Sequence, residues 1–109
     1  MSRTIRTTTG KAHAPIADRQ PFTTSGALSA RTPYGETFGP WDSGRLPREH
    51  VESFQSATYA VFSYATPIAW VTDGAWVIPG TRYSLTTSRH QSTARYGAHL
   101  SGLATEVAA

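Results

Sequence analysis

The chain has no cysteine and a single methionine among its 109 residues. A disulfide framework and thiolate metal sites are therefore excluded. No apolar run approaches the length of a membrane span. Residues 1–30 carry Arg3, Arg6, Lys11 and Arg19 with no continuous apolar core behind them, which removes a secretory signal. The same segment is basic and Ser/Thr-rich in the manner of an organelle transit peptide, but it lacks an amphipathic face and is interrupted by Pro15 and Pro21. The expected location is the cytoplasm. Also missing are a Gly-rich phosphate loop and the S-x-x-K and G-x-S-x-G nucleophile motifs. No internal repeat and no second domain can be found.

A chain of this size can bury one modest core. Hydrophobic residues make up 39% of it, many of them alanine, and the large ones gather between Phe54 and Leu85. Gly, Pro, Ser and Thr dominate the first forty positions. The expected organisation is a basic coil arm over 1–33, one α+β domain over 34–101 and a frayed tail over 102–109. The net charge of +3 is uneven: residues 1–33 hold Arg3, Arg6, Lys11, Arg19 and Arg31 against Asp18 alone, whereas acids outnumber arginines over 34–56. A cationic arm on a near-neutral body suits phosphate contacts, and it equally suits plain solubility.

Residues 33–47 hold Pro33, Gly35, Gly39, Pro40, Gly44 and Pro47, which forbid a long regular element. Phe38 and Trp41 lie in this stretch. Burying each ring would pin the loop, at about 2 kcal/mol apiece; the alternative is an exposed aromatic for stacking or partner contact. PREHVESFQSA then predicts a short helix over 47–57, with Pro47 near its first turn, Glu49 and Glu52 near its positive end, and Val51 and Phe54 on an apolar stripe.

Tyr59 to Thr72 is rich in β-branched and aromatic residues, and Asp73-Gly74 signals a hairpin turn. A two-residue loop sets Thr72 opposite Ala75, Val71 opposite Trp76 and Trp70 opposite Val77. One face then carries Phe62, Tyr64, Ile68, Trp70 and Val77, and the other Val61, Ala69, Val71, Trp76 and Ile78. Both faces are apolar, so both need cover. Pro67 interrupts the strand or places it at an edge. A short third strand is expected over Arg82 to Leu85. Ser88-Arg89-His90-Gln91 has the form of a capping box, which predicts a two-turn helix over 89–96 stopped by Gly97.

Three segments together resemble a known pattern: Ser63-Tyr64-Ala65-Thr66-Pro67-Ile68-Ala69, then Trp76-Val77, then Tyr83-Ser84-Leu85-Thr86-Thr87-Ser88-Arg89-His90-Gln91. The order S-Y-x-T-P-I-A, W-V, Y-S-x-T-T-S-x-H-Q is similar to that of a family of small uncharacterised proteins of actinobacterial phages and mobile elements. The likeness covers about residues 59–92. It implies an accessory protein at work in a bacterial host cell and supplies no activity.

The best candidate site is the expected helix start, because helix N-termini offer unpaired amides and a positive dipole end. Arg82, Thr86, Thr87, Ser88, Arg89, His90 and Arg95 would bind an anion there, joined by Arg3, Arg6 and Lys11 of the arm. The same residues also make an ordinary helix cap. Catalysis would need His90 as general base with Arg89 or Arg82 and Tyr83, a metal-free phosphodiesterase with no second acid or base fixed beside it. His13, His50, His90 and His99 are scattered and form no metal-ligand spacing.

The resulting expectation is an α+β fold with a small antiparallel sheet, made of a Trp-rich hairpin and a short third strand, two short helices and an extended N-terminal arm. The expected function is non-catalytic nucleic-acid binding, without cofactor, metal or membrane. The alternative is an effector that binds a host protein through Val71, Trp76 and Ile78, a face that would equally serve a homodimer.

Overall fold

Strands pair in the order in which the chain makes them. A computed structural model describes residues 4–81 and 84–108; Arg3, Arg82 and Tyr83 lie outside the described residues. The elements are β1 (Ile5–Arg6), α1 (His13–Ala17), β2 (Phe22–Thr23), β3 (Leu28–Arg31), α2 (Arg48–Gln55), β4 (Tyr59–Ser63), β5 (Thr66–Thr72), β6 (Ala75–Pro79), α3 (Leu85–Ser101) and β7 (Thr105–Ala108). The seven strands form one sheet in the order β1 to β7. β1 with β2 and β6 with β7 are parallel, and the pairs between are antiparallel.

This topology decides where the helices go. Alternation from β2 to β6 leaves β1 and β6 pointing the same way, and each crosses to the next strand in the same direction. Right-handed crossovers then put α1 and α3 on one face, where the two pack against each other. Under them lie Tyr59, Val61, Ala69, Val71, Trp76 and Ile78, with Ile16 and Ala94 from the helices. The opposite face carries Ala60, Phe62, Trp70 and Val77, covered by Phe54 of α2 and by Phe38 and Leu46 of the preceding loop. Val71, Trp76 and Ile78 are thus buried by the chain's own helices, and the face expected to receive a host protein or a second copy is occupied.

The expected small sheet with two short helices and an extended arm is corrected: the described residues form a seven-stranded mixed sheet with three α-helices, and the α+β class stands. Residues 5–31 belong to the body. Ile5 pairs with Phe22, Phe22 with Ala30, and Leu28 to Arg31 of β3 with Ser63 to Ala60 of β4. The Tyr59 hydroxyl, its ionisation pushed up by burial, donates to the Gln20 carbonyl at 2.8 Å and ties this segment down. Strands of two to four residues show no readable alternation, so distant pairing partners decide them. The tail is corrected likewise: Thr105–Ala108 pairs with Trp76–Pro79.

The hairpin at Asp73-Gly74 has the expected register, Trp70 with Val77, Val71 with Trp76 and Thr72 with Ala75. Asp73 (φ 53°) and Gly74 (φ 75°) take the left-handed geometry of a two-residue hairpin loop. The stretch before it is two strands, turned at Tyr64-Ala65. A bulge sets Val61 opposite Ala69 but Phe62 opposite Pro67. Ile68 is the extra residue, and it joins the core beneath α3 and not the face expected for it. The bulge also accommodates Pro67.

Helix α2 forms within two residues of its expected span. Helix α3 does not: it runs for 17 residues, and Leu85 opens the helix, not a third strand. Its cap is Ser84, whose Oγ accepts from the Thr87 amide at 3.2 Å. The Ser88–Gln91 capping box does not form. The Ser88 amide donates to the Ser84 carbonyl at 2.9 Å, and Gln91 Nε2 donates to the Thr81 carbonyl at 2.8 Å. Gly97 is not a stop but a close crossing point, since a Cβ there would stand 2.5 Å from Ile16 Cγ2 and 3.0 Å from the His13 carbonyl. The helix ends at Gly102.

Candidate anion-binding cleft

Ser63 ends β4 on the side facing α3, and the buried stripe of α3, Thr87, His90, Gln91, Ala94 and Ala98, recurs at helical spacing over the sheet. These two sequences produce a buried polar network. Ser63 Oγ lies 2.7 Å from His90 Nδ1 and 3.1 Å from Thr87 Oγ1, and Ser84 Oγ donates to Thr87 Oγ1 at 3.2 Å. From the far side the loop before α2 approaches, where the Arg45 amide donates to Thr66 Oγ1 at 2.9 Å. Between them opens a cleft of about 580 Å³ lined by Arg45, Ser63, Tyr64, Thr66, Ser84 and Thr87, among others, with no acidic residue in its described lining. At its edge α3 begins. The Thr87 and Ser88 amides are taken by Ser84, which leaves the Leu85 and Thr86 amides without an acceptor among the described residues.

Burial lowers the His90 pKa from its ordinary value, so the folded protein holds the ring neutral. The unfolded chain takes the proton more readily. Stability from this group is complete above the ordinary histidine value of about 6.5 and is lost as pH falls through the lowered folded value. Urea midpoints followed from about pH 8 to about pH 5 should therefore fall with acid. His90→Gln keeps a hydrogen-bonding partner for Ser63 and should flatten that fall. An unchanged slope in the variant would remove His90 as its source.

A family model described as a family of unknown function, DUF8033, matches residues 14–105. The chain belongs to DUF8033. No curated protein and no solved structure matches it. The DUF8033 region runs from α1 to the first residue of β7 and contains the entire cleft. Among its described residues no helix is long and apolar enough to cross a membrane, and no group of three His, Asp or Glu side chains is placed to hold a metal ion.

Within the DUF8033 fold the residues expected at the anion site scatter. Thr87 and His90 face inward and bond to Ser63. Thr86 is exposed in the first turn, Ser88 is half-buried, and Arg89 is exposed on the outer side of α3. Arg95 is six residues beyond Arg89, about 240° around the helix, and lines a separate depression with Ile78, His99 and Leu103. Arg6 sits on the edge strand β1 and Lys11 in a 3-10 turn before α1. Arg3 and Arg82 lie outside the described residues. Arg89 and His90 point to different sides, so they do not form the expected phosphodiesterase pair.

Arg45, Ser63, Tyr64, Thr66 and Ser84 are the cleft residues that sequence reasoning missed. Four of them left a signal, because Ser63, Tyr64 and Thr66 stand in the S-Y-x-T-P-I-A segment and Ser84 in the Y-S-x-T-T-S-x-H-Q segment. The first and third segments meet at Ser63, Thr87 and His90. Nothing in the sequence marked Arg45.

Proposed function

We propose that this DUF8033 protein binds nucleic acid without catalysis, seating a backbone phosphate in the cleft at the start of α3. The observation that carries this reading is that Ser84 and Thr87, at the start of α3, and the exposed Arg45 line one cleft with no acid in its described lining. The Leu85 and Thr86 amides at the cleft edge, without acceptors among the described residues, the positive end of a 17-residue helix and a guanidinium suit a phosphate on electrostatic grounds. A net charge of +3 adds a weak general attraction. The motif resemblance adds a setting, an accessory protein of a phage or mobile element working in a bacterial host cell. The effector alternative has lost the surface assigned to it, since Val71, Trp76 and Ile78 are core residues.

Fluorescence anisotropy with a labelled DNA oligonucleotide tests the proposal. Binding should weaken as salt rises, linearly on logarithmic axes. Arg45→Ala should weaken it by about five- to tenfold and lower the salt slope by about one unit. Arg89→Ala, on the outer side of α3, should change it by less than about twofold. No binding at low salt, or an Arg45→Ala protein indistinguishable from wild type, would remove the proposal.

A further inference from the structure

Three large aromatic side chains are left outside the core on one side of the molecule: Tyr34 is 90% exposed, Trp41 83% and Tyr64 64%. The expectation that loop aromatics pin the loop holds for Phe38, which is buried, and fails for Trp41. Trp41 is not loosely placed. Its 3-10 turn, Pro40–Asp42, is closed by Asp42, whose Oδ2 accepts from the Gly39 amide at 3.0 Å. Asp42 Oδ1 accepts from Arg31 Nη2 at 2.9 Å and so anchors the turn to β3. The indole lies against the Gly39 backbone, where a Cβ would meet its ring carbons at 2.3 Å. One indole face is backed by the turn, and the side chain as a whole stands in solvent.

Arg31 extends this surface. Its guanidinium carbon lies 4.1 Å from the Tyr34 ring centroid on one side, and 5.0 and 5.2 Å from those of Phe38 and Phe62. It is thus a pillar between an outer ring and the core, with its charge shared by Asp42. Arg31, Trp41 and Tyr64 line one groove. Tyr64 and Ala65 also line the cleft that holds Arg45. A path of flat aromatic surfaces therefore runs into the anion cleft through the Tyr64-Ala65 turn.

Resting on the phosphate reading above, we infer that the occupant is a single strand of nucleic acid, with bases stacked on Trp41 and Tyr64 and a phosphate beside Arg45. A duplex hides its base faces, so exposed rings gain nothing from it, whereas every unpaired base offers a face to stack on. A duplex binder would also gather its cations along one stripe, and Arg6, Lys11, Arg89 and Arg95 lie on different parts of the surface. The aromatic path, with Arg31 already held by Asp42 and Arg45 at its end, fits a strand whose bases and phosphates are reached separately.

The probe is a fluorescein-labelled oligothymidylate of about ten nucleotides, compared with a duplex of equal length. The oligothymidylate should bind more tightly than the duplex and quench tryptophan emission, because Trp70 and Trp76 are buried and Trp41 is the exposed indole. Trp41→Ala should abolish the quenching and weaken single-strand binding about tenfold or more, with Trp41→Phe restoring most of the affinity. Its thermal midpoint should match wild type, since the side chain is exposed. Equal affinity for both forms, with Trp41→Ala unaffected and Arg45→Ala weakened, would overturn the stacking inference and keep the phosphate reading. Dependence on Trp41 without dependence on Arg45 would keep stacking and remove the phosphate cleft. Failure of both probes to bind removes both.

Discussion

Trp70→Ala should cost about 3–5 kcal/mol of stability, a large part of the roughly 5–15 kcal/mol that holds a small domain together. Trp70 is fully buried at the centre of the α2-covered face, edge-on to Phe54 with ring centroids 5.8 Å apart. Its indole N–H donates to Ser53 Oγ at 3.0 Å, which anchors α2 to β5. Truncation leaves a cavity with few mobile neighbours to fill it and removes the partner of that hydroxyl. Urea denaturation followed by far-UV circular dichroism measures the loss. Trp41→Ala provides the contrast, because an exposed ring should change stability by no more than about 0.5 kcal/mol. A loss below about 1 kcal/mol for Trp70→Ala would mean that α2 does not pack as described.

The second large effect is Gly97→Val. The space for a side chain at this point of α3 is already taken by Ile16 and the His13 carbonyl of α1. Valine would have to push α1 away, and α1 also carries the crossover from β1 to β2. Overpacking of this kind costs about 1–3 kcal/mol, and each kcal/mol lowers the melting temperature by roughly 4–8 °C in a domain of this size. Gly97→Ala should fall between wild type and the valine protein. Alanine and valine proteins that both melt with the wild type would show that α1 and α3 do not cross at Gly97.

The readable parts of the fold were those with strong local signals. Asp73-Gly74 specified its turn and, through the turn, the register of Trp70, Val71 and Thr72. Pro47, Glu49 and the Val51–Phe54 stripe specified α2. Elsewhere a local signal misled. Ser88 heads a capping pattern, yet Ser84 starts the helix, because the stripe Thr87, His90, Ala94 and Ala98 must begin early enough to cover the sheet. Gly97 resembles a stop and is a contact. The aromatic of Tyr64 looked like part of a strand, but the chain turns there with φ 57°.

The candidate site was legible only in halves. Serine and threonine at 63, 66, 84 and 87 stand in two segments more than a dozen residues apart, and neither half contains an anion site. Pairing of β4 with β5, followed by the long return through α3, brings Ser63 within 2.7 Å of His90. Arg45 arrives from a third segment, carried by the loop that feeds α2.

By itself the sequence determined the Trp-rich hairpin with its Asp-Gly turn, the α2 helix and the exclusion of disulfide and thiolate chemistry, because each of these depends on neighbours in the chain or on residues the chain does not contain. Only the tertiary structure decided that residues 5–31 and 105–108 complete the sheet, that Trp76 and Ile78 are core, that Trp41 is displayed, and which arginine stands at the cleft. Short parallel edge strands have no local pattern of their own. Their positions follow from crossovers through α1 and α3, and those crossovers are stable only once both helices have buried one common face.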